Sequence, residues 1–295
     1  MYKKILVPLD GSETAEAVLP YVEEVAARVN AEVMLAGVSK PGDLAVSNLY
    51  RAYLKHVQEL LQHGLRRYKI DSTRIESDIL IGEPADEILR YSEKSGADLI
   101  AMTSRGLSEG KTWVLGSVVT KVLRAATIPI LLVRTSASKG TVQRRRLIRT
   151  ILLPLDGSEP GKSAIPHAEA LALALGARLI LFHVLEPITG WAGASPAPSS
   201  SREEGQRRRK SLALEHLKEI GKPLEEKGLK VSKAVASGSP AEQIVGYAKA
   251  KSVDLIAMST WGRSGIARWM LGSVTDKTLH AGDTPVLVIQ AAARK

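Results

Sequence analysis

Cysteine is absent from this 295-residue chain, which excludes disulfide bonds, thiol catalysis and zinc–thiolate sites. Aromatic residues are scarce, at 4% of the chain, whereas proteins that stack nucleic acid bases need aromatic platforms. No apolar run approaches the roughly 18 residues of a membrane-spanning helix. The opening MYKKILVPLDGSE has two lysines but neither an apolar signal-peptide core nor a small-residue cleavage site. We therefore expect a cytoplasmic protein without a membrane segment.

Positive charge is in excess, with a net charge of +10, which raises the alternative of a nucleic acid partner. The basic residues are scattered, apart from RRRLIR at 144–149 and RRRK at 207–210, which fall in predicted loops or at a helix start. Such segments more often stay solvated or attract anions in general. The composition therefore argues against a nucleic acid interface, and its 44% apolar content supports a buried core.

The chain contains an internal repeat. ILVPLDGSE at 5–13 returns 146 residues later as ILLPLDGSE at 151–159. DLIAMTSRG at 98–106 returns 156 residues later as DLIAMSTWG at 254–262. The two copies are each of ordinary single-domain size, so the repeat indicates a duplicated domain rather than a solenoid.

The repeat also predicts the domain boundaries. We expect a first domain at 1–137, a basic linker at 138–148 and a second domain at 149–295. The second copy carries ten additional residues, which we assign to 187–205 because its proline, serine and glycine content predicts a loop.

Within each copy, short apolar runs alternate with segments whose apolar residues recur at helical spacing. KKILVPLD at 3–10 predicts a buried strand, and the segment 12–29 predicts one helix with Ser12 as its N-cap. The alternation predicts an α/β fold with two tandem Rossmann-like, or flavodoxin-like, domains. Each would be a five-stranded parallel sheet sandwiched by helices. A ligand crevice would then lie at the carboxyl ends of the strands.

Asp10 and Asp156 each follow the first strand of a copy, within the sequence PLDGS. A carboxylate at this edge of a sheet can accept hydrogen bonds from ribose hydroxyls. The alternative is a structural aspartate that caps the next helix or shapes the turn with the following glycine. Recurrence does not decide between them, because a duplication also copies a purely structural turn.

The segment GLSEGKTWVLGS at 106–117 resembles a Walker A phosphate loop, but three residues separate its first two glycines where that motif has four. The second copy reads GRSGIARWMLGS at 262–273 and lacks the Gly-Lys-Thr, which rejects the Walker interpretation. In both copies a glycine is followed, after nine intervening residues, by Gly-Ser at a predicted helix N-terminus. The free N–H groups of such a terminus favour phosphate. A serine that merely caps the helix is the alternative. The long loop favours a ligand, because plain connections need about 2–6 residues.

Taken together, these motifs resemble the universal stress protein family. Its nucleotide-binding members carry Gly-x2-Gly-x9-Gly-[Ser/Thr] after the fourth strand and an aspartate after the first. The whole chain is similar to a tandem two-domain member. The resemblance implies binding of ATP, with Mg²⁺ carried by the nucleotide. It also implies intramolecular pairing of the domains near the strands PILLV at 129–133 and PVLVI at 285–289.

The resemblance further implies which residues form each site. In the first copy they are Pro8, Asp10, Val38, Thr103, Gly106, Gly116, Ser117 and Val118. In the second copy they are Pro154, Asp156, Val184, Ser259, Gly262, Arg263, Gly272, Ser273 and Val274. The proline and aspartate would lie at the adenosine end, the valines would offer backbone groups to adenine, and the remainder would hold the phosphates.

One position departs from the family pattern, because Thr103 and Ser259 replace its first glycine. The departure supports an alternative in which the protein binds no nucleotide and acts only through protein partners, which the sequence does not identify. Arg263 and Arg268 in the second loop, against Glu109 in the first, predict that the second site is the tighter one. The sequence leaves a homodimer open.

Catalytic motifs are not evident in the sequence. No histidine pair has metal-ligand spacing, and His183, in an apolar strand, is interpreted as a core residue. No nucleophile–base arrangement or base for ATP hydrolysis can be read. We therefore expect a nucleotide-dependent stress-response switch or partner-binding module rather than an enzyme, with slow ATP hydrolysis as the alternative.

Overall fold

The computed structural model of the chain describes residues 1–68, 73–104, 115–134, 146–187, 199–261 and 271–291, without the side chains of 199–202. In the first half the strands are β1 (Lys4–Pro8), β2 (Glu32–Ser39), β3 (Ile75–Ile81), β4 (Leu99–Thr103) and β5 (Ile130–Val133). The helices of this half are α1 (Glu13–Glu16), α2 (Leu19–Val29), α3 (Leu44–Arg66), α4 (Pro84–Ser95) and α5 (Ser117–Ala125).

The second half repeats this order of elements. Its strands are β6 (Thr150–Pro154), β7 (Arg178–Leu185), β8 (Val231–Ser237), β9 (Leu255–Ser259) and β10 (Val286–Ile289). Its helices are α6 (Glu159–Lys162), α7 (Ile165–Leu175), α8 (Ser199–Glu226), α9 (Pro240–Ala250) and α10 (Ser273–Ala281). No helix of the described residues has both the length and the apolarity to cross a bilayer.

Two local expectations are wrong. The single helix expected at 12–29 is broken into α1 and α2, because Pro20 lacks the N–H that would continue the α1 hydrogen bonds to the Glu16 carbonyl. The loop expected at 187–205 was also predicted to be too long. Helix α8 begins at Ser199 and includes the last residues of that segment. The residues 188–198 lie outside the description.

All ten strands form one sheet, in the order β3-β2-β1-β4-β5-β10-β9-β6-β7-β8. Pairing is parallel within each half, as expected from the alternation of strands and helices. The halves meet where β10 pairs antiparallel with β5, with Leu287 opposite Leu131. Because this one pair is antiparallel, the carboxyl ends of the strands in the two halves point to opposite edges of the sheet.

Aliphatic side chains cover both faces of the sheet, which explains why its inner strands are largely apolar, whereas the edge strands β3 and β8 carry polar residues. Helices α2, α3, α7 and α8 pack on one face, with Leu54 and Leu171 among the buried residues. Helices α4, α5, α9 and α10 pack on the other face, with Ile88 and Ile244. Each apolar layer continues from one half into the other, so the two repeats share their core.

Polar contacts join the halves in addition to the pairing of β5 with β10. The fully buried carboxylate of Glu24, on α2, accepts hydrogen bonds from the backbone N–H groups of Leu147 at 2.7 Å and Ile148 at 3.1 Å. Arg134 donates to the His280 carbonyl at the end of α10 at 3.2 Å. Gln290 donates to the Leu123 carbonyl near the end of α5 at 3.1 Å. The last two contacts are reciprocal, because each half holds the final turn of the other half's last helix.

Candidate functional site

Two aspartates shape equivalent turns after the first strand of each half. The Oδ1 atom of Asp156 accepts hydrogen bonds from the Ser158 backbone N–H at 2.9 Å and from its hydroxyl at 2.6 Å. Asp10 accepts the same pair from Ser12, at 3.1 and 2.6 Å. Ser12 and Ser158 in turn cap α1 and α6. The structural role that the sequence left open for these aspartates is therefore present in both halves.

A cavity of about 280 Å³ lies at the carboxyl edge of the strands in the second half. It brings together Pro154, Asp156, Val184, Ser259, Gly272, Ser273 and Val274 from the site expected there. Gly262 and Arg263 lie outside the described residues. The cavity is also lined by residues that the sequence did not indicate, among them Phe182, Glu186, Pro240, Ile244, Met258 and Thr275. Most of these are apolar and could not be told from core residues by pattern alone.

The first half places its expected residues at the equivalent positions. Pro8 ends β1, Val38 is the penultimate residue of β2, and Thr103 ends β4. Gly116 precedes α5, of which Ser117 and Val118 are the first two residues. Gly106, like the loop arginines and Glu109, lies outside the described residues.

The N-terminus of α10 is directed at the cavity and has a glycine rather than a serine as its N-cap. Gly272 is the N-cap and Ser273 the first helical residue, and the same arrangement occurs at Gly116 and Ser117. The alternative in which the serine caps the helix is therefore wrong. A glycine N-cap offers no side-chain acceptor, so the first N–H groups of α10 receive no hydrogen bond from a capping side chain. This is the arrangement that favours an anion.

Gly272 is required by a close backbone contact. Its N–H donates to the Thr260 carbonyl at 2.8 Å, and a Cβ atom at this position would lie 2.7 Å from the same carbonyl oxygen. The φ angle of −61° suits any residue, so the constraint is steric rather than conformational. A larger residue would push the helix terminus away from the loop that follows β9.

Ser259, at a position where the resemblance implies glycine, forms part of the turn after β9. Its hydroxyl donates to the Trp261 carbonyl, and its own carbonyl accepts from the Thr275 hydroxyl at 2.9 Å. Ser259 and Thr103 are both buried at the ends of their strands. The serine therefore ties the loop to α10 while it lines the cavity.

The cavity is electrostatically asymmetric. The strand order β9-β6-β7 places Ser259, Asp156 and Glu186 in succession along the edge of the sheet. The positive N-terminus of α10 lies at the β9 side, whereas the two carboxylates follow β6 and β7. In the first half, Lys40 follows β2 at the position that Glu186 occupies after β7. The two halves therefore differ in charge at this point.

Different side chains support the aspartate turn in the two halves. His183, expected to be a core residue, is half-buried, and its Nδ1 lies 2.7 Å from the Leu155 carbonyl. Because a carbonyl only accepts, Nδ1 carries the proton. In the first half Gly37 stands in its place, and Tyr50 packs over that glycine and donates to the Asp10 carbonyl at 3.2 Å. Burial, with the Asp10 carboxylate, raises the pKa of Tyr50 and keeps its hydroxyl protonated.

The described residues contain no group of three or more histidine, aspartate or glutamate side chains that could hold a metal ion. The described lining of the cavity offers a ligand backbone N–H groups, hydroxyls, carboxylates and an apolar wall. Neither the cavity nor its rim presents a histidine–nucleophile pair among those residues.

Comparison with known proteins gives one consistent similarity. A model of the universal stress protein family matches residues 1–134 and 147–290. A universal stress protein of Methanocaldococcus jannaschii is 34% identical over 151 residues, which is 49% of this chain and 83% of that protein. Another, from Mycolicibacterium smegmatis, is 26% identical and aligns with 97% of this chain and 96% of its own length. The crystal structure of a universal stress protein from Archaeoglobus fulgidus shares the fold, with a TM-score of 0.65 over 98% of this chain and 96% of that chain, at 21% identity.

Proposed function

The chain belongs to the universal stress protein family, and from that premise we propose that it binds ATP, or a closely similar adenine nucleotide, in the cavity of its second half. The proposal includes a second, equivalent site in the first half. It also includes the division into domains at 1–137 and 149–295 with a linker at 138–148.

The observation that carries the proposal is the polarity of the cavity. A nucleotide has an anionic end, a sugar with hydroxyl donors and a flat apolar base. The N-terminus of α10, whose N-cap glycine offers no side-chain acceptor, suits the phosphates, and the Asp156 carboxylate suits the ribose hydroxyls. The apolar wall, which includes Val184, Ile244 and Met258, suits the base. An inorganic anion would use only the first of these features.

The serine that replaces the family's first glycine is compatible with this ligand. The hydroxyl of Ser259 is directed to the Trp261 carbonyl, so it organises the loop. Ser273 adds a hydroxyl at the helix terminus, where phosphate oxygens would lie. Mg²⁺ would arrive with the nucleotide and be held by its phosphates.

The biological role in this proposal is that of a switch. Binding would alter the surface around the α10 terminus and so change which protein partners the chain engages, in the cytoplasm and under stress. The described lining of the cavity includes no histidine beside a nucleophilic side chain. We therefore propose little or no ATP hydrolysis.

Isothermal titration with Mg-ATP tests the proposal directly, after denaturation and chromatography have shown whether nucleotide co-purifies. We expect a dissociation constant in the micromolar range, roughly −8 kcal/mol, with one or two sites per chain. No heat together with no co-purified nucleotide would contradict the proposal and favour a module that acts only through protein contacts.

His183 gives a second test of the same site. In the variant His183→Leu, the Leu155 carbonyl loses its donor, so Asp156 is held less firmly and ATP affinity should fall about three- to tenfold at the second site. Tyr50→Phe is the matched change in the first half, because it removes the hydroxyl that supports Asp10. If His183→Leu left both affinity and site count unchanged, the turn would not be part of the binding machinery.

A further inference from the structure

We propose that Glu186 makes the second site prefer a purine with a 6-amino group, as in adenine, over a 6-oxo purine, as in hypoxanthine. The inference rests on the proposed nucleotide function and concerns the end of the same cavity that lies beside β7. It assigns to the second half a preference that the first half does not share, because Lys40 occupies the corresponding position there.

Glu186 lines the cavity with an accessible side chain. The residue directly follows β7 and is exposed, whereas the preceding Leu185 is buried. It lies two residues after Val184, which also lines the cavity, so in extended backbone both side chains leave the same face of the sheet. No hydrogen bond or ion pair within the described part of the chain engages the Glu186 carboxylate. Its oxygens are therefore available to a ligand.

Two hydrogen bonds fix the main chain at Glu186. The guanidinium of Arg209, on α8, donates to the Glu186 carbonyl at 3.0 Å. The Leu185 carbonyl accepts a hydrogen bond from the Gly238 N–H at 3.0 Å. The peptide groups on both sides of the Glu186 Cα atom are thus held in place. Only rotation of the side chain remains to bring the carboxylate to a ligand.

The order of the strands places Glu186 at the base end of the proposed ligand. The α10 terminus, assigned to the phosphates, lies at the β9 side, and Asp156, assigned to the ribose, follows β6. Strand β7 comes next in the sheet. Because neighbouring strands are about 4.8 Å apart, a nucleotide laid along this edge would bring its base to the end of β7, between Val184 and Glu186.

A carboxylate distinguishes an amino group from a carbonyl oxygen by the direction of the hydrogen bond. When ionised it only accepts, so it attracts the amino group of adenine and repels the 6-oxo group of hypoxanthine. Glu186 is exposed, so water can replace a lost donor and the discrimination should be modest. We expect its carboxylate to contribute about three- to tenfold to the preference for ATP over ITP.

The first half carries the opposite charge at this point. Pro8 pairs with Ala36 and Pro154 with Phe182, and continuing along the two strands from these pairs leads to Lys40 and Glu186. The Lys40 ammonium has donors and no acceptor, so it favours a carbonyl oxygen over an amino group. The substitution Glu186→Lys therefore gives the second site the residue of the first half.

The experiment titrates Mg-ATP, Mg-ITP and inorganic triphosphate into a chain in which Gly116→Val, at the equivalent of Gly272, impairs the first site. Glu186→Ala should lower the ratio of ATP affinity to ITP affinity about three- to tenfold. Glu186→Lys should lower it further, in favour of ITP. Both variants also remove negative charge near an anionic ligand. Triphosphate reports that general gain in affinity, which cancels in the ratio.

The matched control is Glu226→Lys. It makes the same charge change on an exposed residue at the other end of α8, about 25 Å along the helix from Arg209. This variant should leave the ratio of the ATP and ITP affinities unchanged. Since Glu186 and Glu226 are both exposed, none of these changes disturbs the apolar core.

The outcomes separate the two proposals. If the unaltered chain does not bind ATP, the nucleotide function and the preference for an amino group both fail. If ATP binds but Glu186→Ala and Glu186→Lys leave the affinity ratio unchanged, or if Glu226→Lys alters it as much as Glu186→Lys does, only the role of Glu186 fails. A ratio that falls in Glu186→Ala, falls further in Glu186→Lys and stays constant in Glu226→Lys supports both.

Discussion

Replacing Gly272 with alanine is expected to lower the affinity of the second site for Mg-ATP by at least about tenfold, roughly 1.4 kcal/mol or more. The added Cβ atom would lie 2.7 Å from the Thr260 carbonyl oxygen, to which the Gly272 N–H already donates. Relief of that clash requires the N-terminus of α10 to move. The N–H groups that we assign to the phosphates would move with it.

The control for this change is Gly246→Ala, in the middle of α9. A Cβ atom at Gly246 would meet nothing within 4 Å, so this variant should bind ATP normally. It should also gain about 0.5–1 kcal/mol of stability from the better helix propensity of alanine.

Gly116→Ala makes the equivalent glycine-to-alanine change in the first half. The two site variants, titrated side by side, test the expected order of affinities, and equal losses would contradict a tighter second site.

Replacing Glu24 with leucine is expected to destabilise the whole chain by about 2–5 kcal/mol. The carboxylate is fully buried and accepts the backbone N–H groups of Leu147 and Ile148, which lead into β6 of the other half. Leucine fills a similar volume but leaves both N–H groups without an acceptor. Urea denaturation at neutral pH measures the loss, and a change below about 0.5 kcal/mol would show that the contact is incidental.

Glutamine at the same position separates hydrogen bonding from charge. Burial raises the pKa of Glu24, against the opposing effect of the two N–H donors and of Arg146 and Arg28. A raised folded-state pKa means that the ionised form destabilises the native state. This penalty is absent below the unfolded pKa near 4.5 and grows as pH rises through the folded value.

Glu24→Gln keeps an acceptor oxygen and does not titrate. Its stability relative to the unaltered chain should therefore increase as pH rises from 4 into the neutral range. Urea midpoints of both proteins across that range check the sign. A relative stability of Glu24→Gln that falls with rising pH would contradict the assignment.

Much of the fold could be predicted from the sequence, because it depends on local sequence patterns or on the internal repeat. The PLDGS turns, the alternation of strands and helices, and the recurrence of Gly-Ser before a helix predicted where β1, β6, α5 and α10 begin or end. The pairing of the terminal strands was expected from family resemblance, and the antiparallel contact of β5 with β10 agrees with it. Each of these depends on a few neighbouring residues or on one duplicated pattern.

The features that the sequence did not predict depend on contacts between residues that are far apart in the chain. Phe182 and His183 are adjacent in an apolar strand, and only the packed structure shows that one lines the cavity while the other supports the aspartate turn. Tyr50 reaches Asp10 from 40 residues away, and Glu24 reaches Leu147 from 123. No motif links such pairs, because tertiary packing alone brings them together.

Because β5 and β10 pair antiparallel, the two sites that we propose lie at opposite edges of the sheet. A ligand bound at one of them would therefore leave the other unobstructed. Helix α10 spans the two halves, since it starts at one of these sites and its last turn rests on Arg134, directly after β5 of the other half.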